Sequence, residues 1–306
     1  MRTRTTDAPR RLATPAELRR WSLRCHAAGL SVGLVPTMGA LHDGHRALIR
    51  RAVAENDRTV VSIFVNPAQF GPQEDFDRYP RPLEKDLALL GSEGAHAAFV
   101  PPVAAMYPEG FATSVVVNGP LVRRWEGAAR PGHFDGVALV VSKLINAARP
   151  ERVYFGRKDA QQCAVVRRVA ADLDLGAEIV ECPTIREHDG LALSSRNAFL
   201  SAEDRQRALA IPRGLARAAR LFAAGEQRAP RLRSAVLDEL DRAGIEPDYV
   251  AVVGGAELDE VEIAATTSEI LVAAKIGSTR LIDQLRLGVD EAPVVLGATG
   301  AACTGS

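Results

Sequence analysis

The chain has 306 residues, 47% hydrophobic and 25% charged, which is globular composition with length for one large or two medium domains. Lys plus Arg and Asp plus Glu number 38 each, so no net field favours nucleic acid or an anionic membrane as a partner, and any bound anion must be held by local geometry. Cys25, Cys163, Cys182 and Cys303 are scattered without a C-x-x-C pair, which argues against a disulfide framework or a zinc site and for reduced thiols in a cytoplasmic protein.

The basic start, MRTRTTDAPRR, leads into an amphipathic helix rather than an apolar h-region, and nowhere do about 18 apolar residues run together, so neither export nor a membrane span is expected. That first helix opens at Thr14 with Pro15 at its first position and Glu17 as a capping-box partner, and Gly29 is placed for a left-handed cap. Apolar runs then recur at Ser31 to Pro36, Thr59 to Val65, Ala97 to Val100, Arg152 to Phe155 and Ala177 to Glu181, with helix-period segments between most of them. Such βαβ rhythm predicts a Rossmann-like, doubly wound parallel sheet with helices on both faces.

After Asn197 the texture changes. A helical stretch opens at Ser201 with Asp204 three residues on, is interrupted near Pro212, and is followed by a helix at about Arg231 to Arg242. Strand-like runs come next at Tyr249 to Val253, Ile270 to Ala274 and Arg280 to Leu285, an α+β order that reads as a second, smaller domain. The expected division is a nucleotide- and substrate-binding domain over 1–184, a smaller domain over 185–288 and a loose tail over 289–306, whose small Gly/Ala/Thr-rich residues cannot offset their ordering entropy by burial.

Four segments carry chemistry. In VPTMGALHDGH, Val35 to His45, a strand ends and a helix begins. Gly39 and Gly44 allow close backbone approach to a phosphate, the helix N-terminus attracts anions, and His42 and His45 can both donate to a polyphosphate as charge develops. In FVNPAQF, Phe64 to Phe70, the neutral amides of Asn66 and Gln69 lie between aromatic rings and suit a small organic substrate. In VYFGRKDAQQ, Val153 to Gln162, Lys158 can meet a phosphate as a point charge while Asp159 can accept from a ribose hydroxyl or sit behind a metal. In DGLALSSRN, Asp189 to Asn197, hydroxyls and the Arg196 fork suit β- and γ-phosphates. Taken singly, such loops are more often turns, caps and solvated surface. Three of them following strands of one sheet favour a nucleotide site.

These four motifs, in this order over about Leu12 to Gly288, resemble the pantoate–β-alanine ligase (pantothenate synthetase) family, within the His-x-Gly-His nucleotidyltransferase superfamily. The resemblance implies an ATP site lined by Met38, Gly39, Ala40, Leu41, His42, Asp43, Gly44 and His45, with His45 as the catalytic acid beside His42 and Lys158. It further implies that Gly156, Arg157, Lys158, Asp159, Leu193, Ser194, Ser195 and Arg196 hold ribose and phosphates, and that the backbone of Ile185 meets adenine. Gln69 and Gln162, with Asn66 beside them, match pantoate-binding positions; Asp86 matches the acid associated with Mg2+, and Glu126 and Arg130 match a flexible segment near the site. Two departures stand out: Arg157 where the family has Glu, and Ala160 where it has an aromatic residue.

The implied reaction is ATP-dependent condensation of pantoate with β-alanine through a pantoyl adenylate, by a cytoplasmic enzyme that pairs as a homodimer. Two rivals are a nucleotidyltransferase acting on a phosphorylated substrate, against which the neutral Asn66 and Gln69 argue, and a silent ATP-binding module, which would not need both histidines and Lys158.

Overall fold

The computed structural model describes residues 8–71 and 76–294. The described chain groups into two units, one running to Gly156 and taking in Gln162–Cys182, the other comprising Arg157–Gln161 and the residues from Pro183 onward.

The first unit carries, in chain order, β1 (Arg10–Leu12), α1 (Pro15–Ala27), β2 (Val32–Thr37), α2 (Asp43–Glu55), β3 (Arg58–Ile63), α3 (Leu83–Ser92), β4 (Ala97–Phe99), α4 (Val103–Met106), α5 (Trp125–Ala129), α6 (His133–Ala148), β5 (Arg152–Gly156), α7 (Ala160–Asp172, entered from the second unit) and β6 (Glu178–Cys182). Thr14 caps α1 by accepting from the Glu17 N–H at 3.2 Å, and Gly29 takes the left-handed conformation at φ +70 that the sequence reserves for it.

The strands form a six-stranded sheet in the order β1-β4-β3-β2-β5-β6, parallel throughout. Alternate residues face opposite sides, so Leu34, Val60, Val153 and Phe155 join one buried cluster with α1 and α6, while Val35, Val61, Tyr154 and Val180 join another with α2 and α3. Successive strands step outward in one direction from β2 to β4 and in the other from β5 to β6. The order therefore reverses between β2 and β5, and the crevice beyond their carboxyl ends is where such sheets bind ligands. Edge strand β1 has no counterpart among the apolar runs: of its three residues only Leu12 is buried, too little to show a period.

In the second unit come α8 (Ala202–Ala208), α9 (Ala210–Ala223), α10 (Ala229–Arg242), β7 (Pro247–Gly254), β8 (Asp259–Glu260), β9 (Glu269–Ile276) and β10 (Thr279–Arg286). The strands make an antiparallel sheet in the order β10-β9-β7-β8, packed against α9 and α10 through Leu215, Leu232, Val236, Val250 and Ile270. The helical break falls at Leu209, just ahead of Pro212, which sits in the first turn of α9 where its missing N–H leaves no bond unmade. Among the described residues no helix is long and apolar enough to cross a membrane.

Candidate active site

β2 ends in Thr37, whose hydroxyl donates to the Ser62 carbonyl of β3 at 2.6 Å and accepts from the Gly39 N–H at 3.2 Å, tying the start of the following loop to the sheet. Gly39 and Ala40 both have positive φ, +83 and +51, and so turn the chain sharply before α2. The N–H groups of Ala40 and Leu41 then donate to the two carboxylate oxygens of Asp86, at 2.9 and 2.8 Å.

The two histidines close the helix start. His42 is the N-cap of α2, and its Nδ1 accepts from the Gly44 N–H at 3.1 Å. His45 reaches back so that its Nδ1 accepts from the His42 N–H at 3.3 Å, and the rings lie 4.1 Å apart between centroids. This is a capping box built from imidazoles in place of the usual hydroxyl and carboxylate or carboxamide. Because each Nδ1 accepts a backbone proton, each neutral ring carries its own proton on Nε2, the tautomer a phosphate-facing donor requires.

Met38 connects this loop to the amide cluster after β3, since Gln69 donates from Nε2 to the Met38 sulfur at 3.3 Å. Asn66 is 1% exposed and its amide is fully engaged: Nδ2 donates to Gln69 Oε1 at 3.0 Å and to the Gly136 carbonyl at 3.1 Å, while Oδ1 accepts from the Ala68 N–H and the Tyr107 hydroxyl at 3.3 and 2.7 Å. Asn66, expected to contact substrate, instead orients Gln69, because a side chain with all its bonds made inside the protein has none to offer a ligand. Burial pushes the Tyr107 hydroxyl up to about 12, so it stays protonated and holds this bond.

His133, at the start of α6, supports the same turn from the other side. Its Nδ1 lies 2.8 Å from the Gln69 carbonyl and must donate to it, which leaves Nε2 to accept from Arg130 at 3.0 Å. Gly136 lets α6 approach this closely, for a Cβ there would stand 2.6 Å from the Gln69 Cα. Glu126 and Arg130, expected in a flexible segment, are placed as follows: Glu126 is buried in α5 and Arg130 closes its end. Tyr107 and His133 carry no local sequence signal, since each acts on a turn far away in the chain.

In the second unit, Arg157, Lys158 and Asp159 form a 3-10 turn, with Lys158 Nζ 3.5 Å from Asp159 Oδ2. Arg157, expected among the ATP-binding groups, is 9% exposed, and its side chain is ion-paired with Asp290. One terminal nitrogen of its guanidinium is thus engaged within the protein. Asp290 also accepts from the Arg286 N–H at 2.9 Å, so the first residues beyond Gly288, read from sequence as a loose tail, are anchored at this point; residues 295–306 lie outside the described residues. Asp290→Ala should lower the unfolding free energy by about 3 kcal/mol, the scale of leaving one partner of a buried pair uncompensated, and a denaturant titration that moves by less than a third of this would show the pair to be superficial.

The Ser-Ser-Arg loop is also built by neighbours in its own unit. Leu193 N–H donates to the Ile185 carbonyl at 2.9 Å, Ser194 caps a 3-10 turn over Ser195–Phe199, and Asn197 donates to Glu187 at 2.7 Å and to the Ala192 carbonyl at 3.0 Å. Arg205 grips Glu187 and Asp189 at 2.8 and 2.6 Å, and Arg186 grips Asp283 at 2.7 Å. Gln162 lies half-buried in the first turn of α7, next to the buried Gln161. Among the described residues no three His, Cys, Asp or Glu side chains converge as a metal cage. Asp86, expected beside Mg2+, is 2% exposed, and each of its oxygens accepts a backbone amide of the His-x-Gly-His loop, so its carboxylate is turned onto that loop.

The family model described as pantoate-beta-alanine ligase matches residues 10–286. A pantothenate synthetase of Roseiflexus castenholzii is 50% identical over 273 residues, covering 89% of this chain and 97% of the relative. The crystal structure of pantothenate synthetase from Thermus thermophilus superposes with a TM-score of 0.85 at 47% identity, over 90% of this chain and 99% of the other. A Francisella tularensis pantoate-beta-alanine ligase, described as complexed with beta-gamma ATP and beta-alanine, superposes at 0.73 with 30% identity, over 91% and 98%.

Proposed function

Because the chain belongs to the pantoate–β-alanine ligase family, we infer that it condenses pantoate with β-alanine at the expense of ATP, and that its own residues do so by adenylation followed by aminolysis. The observation that carries the assignment of roles is the imidazole capping box at the carboxyl end of β2, beside the point where the strand order reverses.

In the first step a pantoate carboxylate oxygen attacks the α-phosphorus of magnesium-ATP, and the bond from that phosphorus to the bridging oxygen breaks, releasing diphosphate. His45 and His42, with protons on Nε2, donate to oxygens whose negative charge grows as that bond breaks, and Lys158 adds a point charge. Magnesium enters here as part of the substrate, where it neutralises phosphate charge. Gln69, held by Asn66, His133 and Met38, orients pantoate, with Gln162 as a second amide. The loop Met38–Leu41, whose Gly39, Ala40 and Leu41 amides are held by Thr37 and Asp86, lines the nucleotide together with Asp43, Gly44, the turn at Gly156–Asp159, Ile185 and the segment Leu193–Arg196. In the second step the neutral amine of β-alanine attacks the acyl carbon and AMP leaves, so no covalent enzyme intermediate is needed and Cys163 and Ser195 have no nucleophilic role.

Pantoate should support exchange of labelled diphosphate into ATP before any amine is added, because the first step is complete and reversible by itself. Exchange that strictly needs β-alanine, or that answers only to a phosphorylated acceptor, would transfer the chain to a different mechanism.

A further inference from the structure

Asp86 is a buried charge in the first turn of α3, and its partners reveal what it does. Two successive amides converge on it because Gly39 and Ala40 both adopt positive φ, and Ala40 has a Cβ that disfavours this conformation unless something holds it. Amides turned inward by such a pair make a concavity for an anion. Sequence alone suggests that a phosphate fills it; here the protein's own carboxylate does.

The consequence reaches the histidines directly, since His42 follows Leu41 and caps α2. Two helical turns beyond Asp86, on the same side of α3, Glu93 is 2% exposed and accepts from Arg46 Nε at 3.0 Å and from Arg50 Nε at 2.6 Å. The Arg50 bond holds the Glu93 carboxyl below the usual carboxylate range. One helix thus grips the His-x-Gly-His loop at one end and the body of α2 at the other.

We propose that Asp86 is a positioning residue that sets the backbone of residues 39–41, and through it the aim of His42 and His45, rather than a ligand of the divalent ion that accompanies ATP. The inference rests on the adenylation reading for its kinetic consequence but not for its structural one. Asp86→Asn keeps the shape and one acceptor while turning an NH2 toward the second amide. In the ligand-free variant, long-range nitrogen–proton NMR should show both imidazoles leaving the Nε2–H tautomer for averaged ring signals.

With substrates, single-turnover adenylate formation at saturating ATP should fall about 100-fold, the scale of misplacing a reacting group. Neither excess Mg2+ nor replacement by Mn2+ should restore the rate. Asp86→Glu, which keeps a carboxylate but displaces it by a methylene, should fail in the same way and serves if the first variant does not fold. Glu93→Gln is the control for lost stability alone: it should lower the melting temperature yet leave the ring signals as in the native protein. Recovery of either Asp86 variant by metal, unchanged ring signals, or identical ring changes in Glu93→Gln would overturn the proposal. If the native protein itself shows no pantoate-dependent exchange, the adenylation reading fails while the ring signals still judge Asp86.

Discussion

His45→Ala should slow pantoyl adenylate formation by about 100-fold or more, the effect of removing one preorganised donor to a developing charge. The same change deletes half of the α2 capping box and should cost about 1 kcal/mol of stability. The two effects need separating, because the ring performs both tasks with different nitrogens: Nδ1 accepts from the His42 amide, whereas Nε2 carries the proton for the phosphate. His45→Glu separates them, since a carboxylate at this helix position can reach back to the cap amide but supplies no donor. Rapid-quench measurement of the adenylate, set beside melting curves, should find His45→Glu near native stability and as slow as His45→Ala. If the glutamate variant regains the rate along with the stability, His45 is a cap and nothing more.

Lys158→Ala should be of similar size, about 100-fold in the adenylation step, because a positive charge in a partly desolvated site stabilises the transition state more than the ground state. The ammonium lies 3.5 Å from Asp159 with 18% side-chain exposure, a loose pair that leaves it able to serve an incoming phosphate. Lys158→Gln, which keeps most of the length without the charge, should be nearly as slow as the alanine variant. A single-turnover rate within a few-fold of native for either variant would return Lys158 to the role of a surface ion pair, whose typical worth is under about 1 kcal/mol.

Much of the architecture was legible in the chain. Apolar runs at Ser31 to Pro36, Thr59 to Val65 and Arg152 to Phe155 became β2, β3 and β5 with shifts of a residue or two, because a strand buried on both faces announces itself by hydrophobicity alone. Ser201 with Asp204, and Thr14 with Glu17, named helix starts through hydrogen bonds spanning three residues. The two-residue strand β8 and edge strand β1 left no such mark, being too short and too exposed. The imidazole cap at His42 and His45 is equally local, but histidine is not among the residues from which a cap is ordinarily read.

What the sequence determined by itself was the parallel sheet, the change to α+β order after Asn197 and the family. Those follow from short-range physics: periodicity, caps, and motifs whose members lie within about ten residues of one another. What only the tertiary structure decided was the division of labour among them. Asn66 and Asp86 both looked like ligand-binding groups, yet Tyr107 and Gly136 meet the first across 41 and 70 residues of chain, and Ala40 and Leu41 meet the second across 46 and 45. Arg157 lies in the stretch that the resemblance gives to ribose and phosphates, and its ion pair with Asp290 spans 133 residues of chain. A buried polar group serves whichever partner folding brings to it, and since such partners are separated by long loops of chain, no local pattern in the sequence can say which of its hydrogen bonds are already made.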